Sequence, residues 1–195
     1  MTAYDFYKNI LHMTDEKIIQ ALLRRTEIRH VKAGTFIANQ GEMQNYMEFL
    51  IQGILRGFYI DSEGREITDC FSMRCGDPAV STFGPEAPSP ISIEASTDCE
   101  LLSVPIQEIM FWVNSDIDCL KIYNELLKKA MRVHWEIKTI TTQHTAIERY
   151  QWFLKAYPGL IDYVSNKHIA SFLGMTPVTL SRLRRAIREG SKAEA

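Results

Sequence analysis

The sequence has no uninterrupted apolar run long enough to span a bilayer, so no membrane-crossing helix is expected. Its opening residues, Met1 to Lys8, lack a basic segment followed by an apolar one. An export signal is therefore not expected, and the protein is assigned to the cytoplasm. The four cysteines, at 70, 75, 99 and 119, form no Cys-x-x-Cys pair and have no histidine at zinc-ligand spacing. Reduced thiols are the expectation, with a redox role for Cys70 and Cys75 left open. The five histidines (12, 30, 134, 144, 168) are scattered, so no metal site is assigned. No catalytic residue and no cofactor is assigned either. Between Arg74 and Lys121 there is no Lys or Arg at all, so that segment offers no cation to an anionic ligand.

What is present is a soluble composition. The 195 residues are 46% hydrophobic and 24% charged, enough for one or two domains around a sizeable core. The net charge of −2 conceals a division. Residues 141–195 carry 8 Lys and Arg against 4 Asp and Glu, while the rest carries 14 against 20. A basic C-terminal piece on an acidic body suits a phosphate-facing module joined to a part with another task.

The basic piece contains the most informative stretch, Ser165 to Arg188. Ser165 can cap a first helix, and Ile169, Ala170 and Leu173 give it an apolar stripe. Gly174 supplies the turn. Thr176 can cap a second helix with Pro177 in its first turn, where no N–H is needed. Leu180, Leu183 and Ile187 repeat at helical spacing, leaving Ser181, Arg182, Arg185 and Arg188 on other faces. This spacing resembles the helix-turn-helix of bacterial repressors and activators, with small Ala170 where the second helix crosses closest.

Upstream, residues 2–25 read as helical, with Tyr4, Tyr7, Ile10 and Leu11 on one face and a fresh helix starting at Thr14. From Thr26 to Val104 the pattern becomes short β-rich runs: 27–31, 35–38, 46–51, 54–60, 66–73, 91–95 and 100–104. Gly-containing breaks separate them, and Asp61–Gly64 is a hairpin signal; the density argues an antiparallel sandwich or roll. A helix is expected from Pro105 to about Val113 and a longer one from about Ser115 to Ile140. In the longer helix Cys119, Tyr123, Leu126, Ala130, Val133, Ile137 and Ile140 alternate 4-3 spacings, the pattern of a coiled-coil seam. A second stripe (Leu120, Leu127, Met131, His134) is partly apolar. Two stripes imply two buried faces, one on the roll and one on a second copy of the chain. Thr145 to Tyr157 reads as a further helix with Ala146, Tyr150, Phe153 and Leu154 inward, ended by Pro158-Gly159.

This order of elements resembles the Crp/Fnr family of bacterial transcription regulators over nearly the whole chain. Besides the helix-turn-helix, the carriers are Gly34-Thr35-Phe36-Ile37 with Gln40-Gly41-Glu42, Phe49–Gly53 followed by Leu55–Tyr59, and Ile93–Ala95 with Glu100–Val104. The resemblance implies an α+β fold. An antiparallel β-roll (a double-stranded β-helix like that of cyclic nucleotide-binding domains) with flanking helices would occupy 1–114. A dimerisation helix and hinge would span 115–141, with the hinge near Thr139–Thr142, and an all-α DNA-binding domain 142–195. It implies a homodimer in the cytoplasm reading a pseudo-palindromic double-stranded DNA operator, with RNA polymerase a further candidate partner. The DNA-facing residues would be Lys167, His168, Thr176, Pro177, Val178, Thr179, Ser181, Arg182 and Arg185. The family's wing is not expected, since the sequence stops about seven residues past Arg188.

One departure bears on the effector. Cyclic-nucleotide binders of the family place a Gly-Glu and an Arg-Ser/Thr in a phosphate cassette, where the guanidinium neutralises the phosphate. Here that region runs from Gly76-Asp77-Pro78 to Ser89-Pro90 without a basic residue. An effector pocket, if present, would involve Gly76, Asp77, Ser81, Ser89, Tyr123 and Leu127, and would take an uncharged or apolar small molecule rather than cAMP or cGMP. An iron–sulfur sensor is not expected, because no cysteine precedes position 70. The alternatives are a regulator that still binds cAMP or cGMP, or a helix-turn-helix dimer serving protein interaction. A metal-dependent cupin enzyme would need inward His and Glu, and the roll region holds only His30.

Overall fold

The structure is a computed structural model that describes residues 1–79 and 87–193, with side chains through Ile187. The chain divides into two compact units. The first comprises Met1–Tyr59 and Asp69–Ala130, the second Ile60–Thr68 and Met131–Ala195.

In the first unit, Thr2 caps α1 (Ala3–Asp5) through a reciprocal capping box with Asp5, and a π-helical turn (Phe6–Ile10) follows. The helical segment expected over 2–25 is broken, as the fresh start expected at Thr14 implies. His12, at φ 55, reverses the chain, and α2 (Glu16–Leu23) starts afresh. Its cap is Asp15 rather than Thr14: Oδ1 accepts from the N–H groups of Lys17 (2.7 Å) and Ile18 (3.2 Å). The π turn also corrects the inward face. Phe6 and Tyr7 are fully buried while Tyr4 is exposed, because a widened turn changes the angular step between side chains.

The strands are β1 (Glu27–Val31), β2 (Phe36–Ala38), β3 (Tyr46–Gln52), β4 (Leu55–Ile60), β5 (Glu66–Ser72), β6 (Ser92–Ala95) and β7 (Cys99–Pro105). They form two sheets, ordered β1-β7-β3 and β2-β6-β4-β5. β7 is the spine of the first, antiparallel to β1 (Glu27 opposite Ser103) and to β3 (Met47 opposite Val104). Alternation along these strands separates two cores. Leu50, Leu55, Ile93, Ala95 and Leu101 fill the roll. Met47, Phe49, Leu102 and Val104 point the other way and pack with Phe6, Tyr7, Ile19 and Leu22.

Gly53 closes the β3–β4 turn at φ 110, and a Cβ there would stand 2.7 Å from the carbonyl oxygen of Asp98 and 2.9 Å from Cys99 Cα. Both the backbone angle and the fixed neighbours require glycine. Gly53→Ala should therefore destabilise the roll by about 2 kcal/mol or more, read as a lowered urea midpoint with unchanged slope.

Pro105 leads into α3 (Ile106–Ser115). Asp116 then caps α4 (Ile117–Gln143), its Oδ1 accepting from the N–H groups of Asp118 and Cys119. The first half of the expected seam, Cys119, Tyr123 and Leu126, packs on the helical core of the first unit. The second stripe remains uncovered: Leu120 and His134 are exposed, and Met131 is 66% exposed. α4 runs unbroken through Thr139–Thr142. The hydroxyls of Thr139, Thr141 and Thr142 donate to the carbonyls of Trp135, Ile137 and Lys138, four residues back. Such back-bonding competes with the helix ladder and favours bending.

In the second unit a capping box between Thr145 and Glu148 starts α5 (Ala146–Ala156). A 3-10 turn (Leu160–Asp162), α6 (Asn166–Phe172) and α7 (Pro177–Ala193) follow. Tyr150, Phe153, Leu160, Ile169, Ala170, Leu173 and Leu180 are buried. Leu154, expected inward, is exposed. An aromatic cluster closes this core instead: Phe172 lies 5.5 Å from Tyr157, 6.0 Å from Phe153 and 6.1 Å from Trp152, centroid to centroid.

Candidate nucleic-acid interface and effector region

The α6–α7 pair is built by local chemistry. Ser165 accepts from the N–H of His168 and begins α6. Gly174 at φ 61 takes the chain out of it. Thr176 Oγ1 accepts from the N–H of Thr179 at 3.1 Å, and Pro177 opens α7. Leu180 is wholly buried against α6 with Ala170, so α7 is held by one side and offered by the other. On the offered side Pro177, Val178, Ser181, Arg182 and Arg185 are exposed, Val178 at 59%. Lys167 and Thr176 are exposed and Thr179 is half-buried.

His168 has a more constrained place. Its Nε2 stands 3.7 Å from Glu66 Oε2, at the tip of the β4–β5 hairpin. Nearby, the Thr68 N–H donates to Ser171 Oγ at 2.9 Å. Two arginines outside the expected DNA-facing set hold the motif together. Arg149 Nη1 donates to the carbonyls of Leu173 (2.7 Å) and Gly174 (3.2 Å), satisfying the acceptors left at the end of α6. Arg184 donates to the Asn166 side chain and ties α7 to the start of α6. No local sequence signal marks either residue, since each partner lies far along the chain.

The residues expected at an effector pocket are distributed. The N–H of Gly76 donates to the Leu50 carbonyl at 2.8 Å, and the Leu50 N–H donates to the Asp77 carbonyl at 2.9 Å. Both residues are thus stitched to β3. The Asp77 carboxylate accepts from Lys129 Nζ at 3.0 Å and from the Arg74 N–H at 3.0 Å. Lys129 on α4 is therefore a cation that reaches the cassette from outside it. Ser89 is buried. Its backbone bonds to Gly41 and Glu42, and its hydroxyl donates to the Ile91 carbonyl. Tyr123 instead lines an apolar cavity of about 40 Å³ with Tyr7, Trp112 and Leu126. Leu127 is half-buried on α4. Ser81 lies outside the described residues.

Arg56 on β4 is the roll's buried guanidinium. Its Nε donates to Glu94 Oε1 at 2.8 Å, and its Cζ lies 4.1 Å from the Phe58 ring centroid. The thiols are poorly disposed to ionise. Burial pushes Cys70 up to about 12, with Asp69 adding to it, and raises exposed Cys75 as well. Among the described residues, no group of three or more His, Cys, Asp or Glu could hold a metal ion, and no helix is long and apolar enough to cross a membrane.

Residues 28–116 match the family model described as the cyclic nucleotide-binding domain. The roll is similar to the domains of that family. The chain as a whole shares its fold with solved regulators. It is similar to FixK2 of Bradyrhizobium japonicum (19% identity, 85% of this chain and 86% of that one, TM-score 0.77). It is also similar to CLP, the c-di-GMP responsive global regulator of Xanthomonas campestris (13% identity, 91% and 93%, TM-score 0.71). A third likeness is to a CRP-family transcriptional regulator of Thermus thermophilus (18% identity, 84% and 85%, TM-score 0.67). No curated protein matches the sequence. The roll, the long α4 and the C-terminal helices thus share the fold of these solved structures.

Proposed function

We propose that the protein is a dimeric, sequence-specific DNA-binding transcription regulator of the Crp/Fnr type that does not respond to cyclic mononucleotides. The observation that carries this reading is α7. One face of the helix is locked by buried Leu180, and the other presents Val178, Ser181, Arg182 and Arg185 to solvent. A helix so held can enter a major groove with its N-terminal residues at the base edges. Arg182 has the reach and donor fork for guanine, Val178 suits a thymine methyl, and Lys167, His168, Thr176, Thr179 and Arg185 are the candidates for phosphate. Residues 142–195 then form the DNA-binding module, 115–141 the dimerisation helix and 1–114 the sensor, in the cytoplasm, with RNA polymerase a candidate contact.

The reading on effectors rests on charge. An anionic phosphate entering beside Asp77 meets a carboxylate, and Lys129 is already engaged with that carboxylate. Arg56 is engaged with Glu94. The segment 80–86, Val-Ser-Thr-Phe-Gly-Pro-Glu, adds no cation. The expected result is no shift of the thermal midpoint with cAMP or cGMP.

The DNA reading is tested by selecting bound sequences from random duplexes and measuring Arg182→Ala on the selected site. The loss should be about 1–3 kcal/mol, with preference relaxed at one base position. An equal loss on every sequence would make Arg182 a phosphate contact. Wild-type binding that does not weaken as salt rises would remove the DNA reading altogether.

A further inference from the structure

We propose that Arg149 and Trp152 strap the end of α4 to the α6–α7 pair, and that this strap sets the separation at which a dimer accepts two half-sites. The proposal rests on the DNA-binding reading and names two positioning residues for it. All the residues concerned lie in the second unit. Arg149, on α5, presents Nη1 to three carbonyls: Leu173 at 2.7 Å, Gly174 at 3.2 Å and Thr141 at 3.4 Å. Thr141 belongs to the last turn of α4, and the other two to the end of α6 and the turn before α7. The last carbonyls of a helix have no partner within it, so one nitrogen serves orphan acceptors of two helices. The guanidinium charge also stands at the negative ends of both. Among the described residues its Nε is buried without a hydrogen-bond partner, a cost set against these bonds.

Trp152 makes the second tie. Its Nε1 donates to Glu136 Oε1 at 2.7 Å, while its ring stacks on Phe172 of α6 at 6.1 Å and 26°. α4 is thus joined to α6 twice, through an indole and through a guanidinium. The first tie lands before the stretch Thr139–Thr142 and the second lands within it. That stretch is where back-bonded hydroxyls favour bending. A bend there would draw Glu136 away from Trp152, so the strap fixes an angle that α4 by itself leaves soft.

The consequence for DNA is geometric. α7 is held on α6 through buried Leu180 and Ala170, so fixing α6 on α4 fixes α7 on α4 as well. In a dimer joined through α4, the same contacts fix the distance and rotation between the two copies of α7. A rigid link concentrates the second reading helix at one separation, whereas a loose link spreads it over many. Full-operator affinity and preference for one spacing therefore depend on the strap, and the affinity of one module for one half-site does not.

The test measures the full chain on the selected operator, on one half-site, and on operators with one base pair added or removed between half-sites. Each such change moves a half-site by about 3.4 Å and about 35°. Glu136→Ala, at an exposed position, removes the acceptor for Trp152 without touching the core. Glu136→Gln loses the same charge but keeps an acceptor oxygen. Arg149→Lys keeps its charge and loses the planar fork. Glu136→Ala and Arg149→Lys should each weaken full-operator binding at least about tenfold and flatten the spacing preference, with half-site affinity unchanged. Glu136→Gln should behave as wild type. Equal losses on half-site and full operator, with the spacing preference kept, would make both contacts merely part of the fold and overturn the proposal. So would a spacing preference unchanged in Glu136→Ala. Wild type that binds no duplex would overturn the DNA-binding reading and this proposal together. Wild type that prefers one spacing, matched by both variants, would overturn this proposal alone.

Discussion

Replacing Met131 and Trp135 together by glutamate should turn the proposed dimer into monomers and weaken binding to the proposed operator by about 10²–10⁴-fold. The two side chains are 66% and 68% exposed, four residues apart on α4, in line with Leu120 and Leu127. An apolar stripe of this length in solvent calls for a cover. The neighbouring stripe, through Cys119, Tyr123 and Leu126, is already engaged with the helical core, so the exposed stripe is the one left for a second copy. In a two-fold interface each substitution counts twice, and Met131→Glu with Trp135→Glu sets like charges against one another across the axis. Glutamate is a good helix former and both positions are exposed, so α4 itself should persist. Sedimentation should show the monomer mass at unchanged helicity. Affinity for a full operator should fall to that for a half-site, which stays the same for wild type and variant. A dimer surviving both substitutions would place the interface elsewhere.

That the stripes could be told apart only in the structure marks the limit of sequence reading here. The strands were legible because β1 to β5 are short runs each followed within four residues by Gly (34, 41, 53, 64 and 76), and all seven fall within about two residues of expectation. The helix-turn-helix was legible because its caps are local: Ser165, Gly174, Thr176 and Pro177 act within four residues of themselves. The failures share a cause as well. Asp15 takes the cap from Thr14 because the chain turns at His12, and nothing near the site announces a residue at φ 55. Phe6 replaces Tyr4 in the core because a π turn breaks the 3.6-residue step on which the face was drawn. Leu154 is displaced by Trp152, Tyr157 and Phe172, whose contacts join three elements. The charged pairs that shape the roll join residues far apart: Arg29 with Glu48, Asp77 with Lys129 and Arg56 with Glu94. A scan for cations inside the cassette could not find Lys129, which reaches Asp77 from 52 residues away.

The last of these pairs gives an asymmetric prediction. Glu94→Ala should destabilise the roll by about 3–5 kcal/mol, whereas Arg56→Met should cost clearly less. Arg56 is 1% exposed and Glu94's side chain 19% exposed, so their desolvation costs differ. Removing Glu94 leaves a guanidinium in the protein with its bond to Oε1 gone, and the delocalised charge cannot be shed by deprotonation. Removing Arg56 leaves a carboxylate nearer to water that can be solvated or take up a proton. Methionine also keeps most of the volume packed over Phe58, whose ring the guanidinium now covers at 4.1 Å. Urea unfolding of both variants, with slopes checked for equality, separates the two costs. Equal costs would mean that the pair is merely a packed contact. A smaller loss for Glu94→Ala than for Arg56→Met would mean that Arg56 is held mainly by other partners.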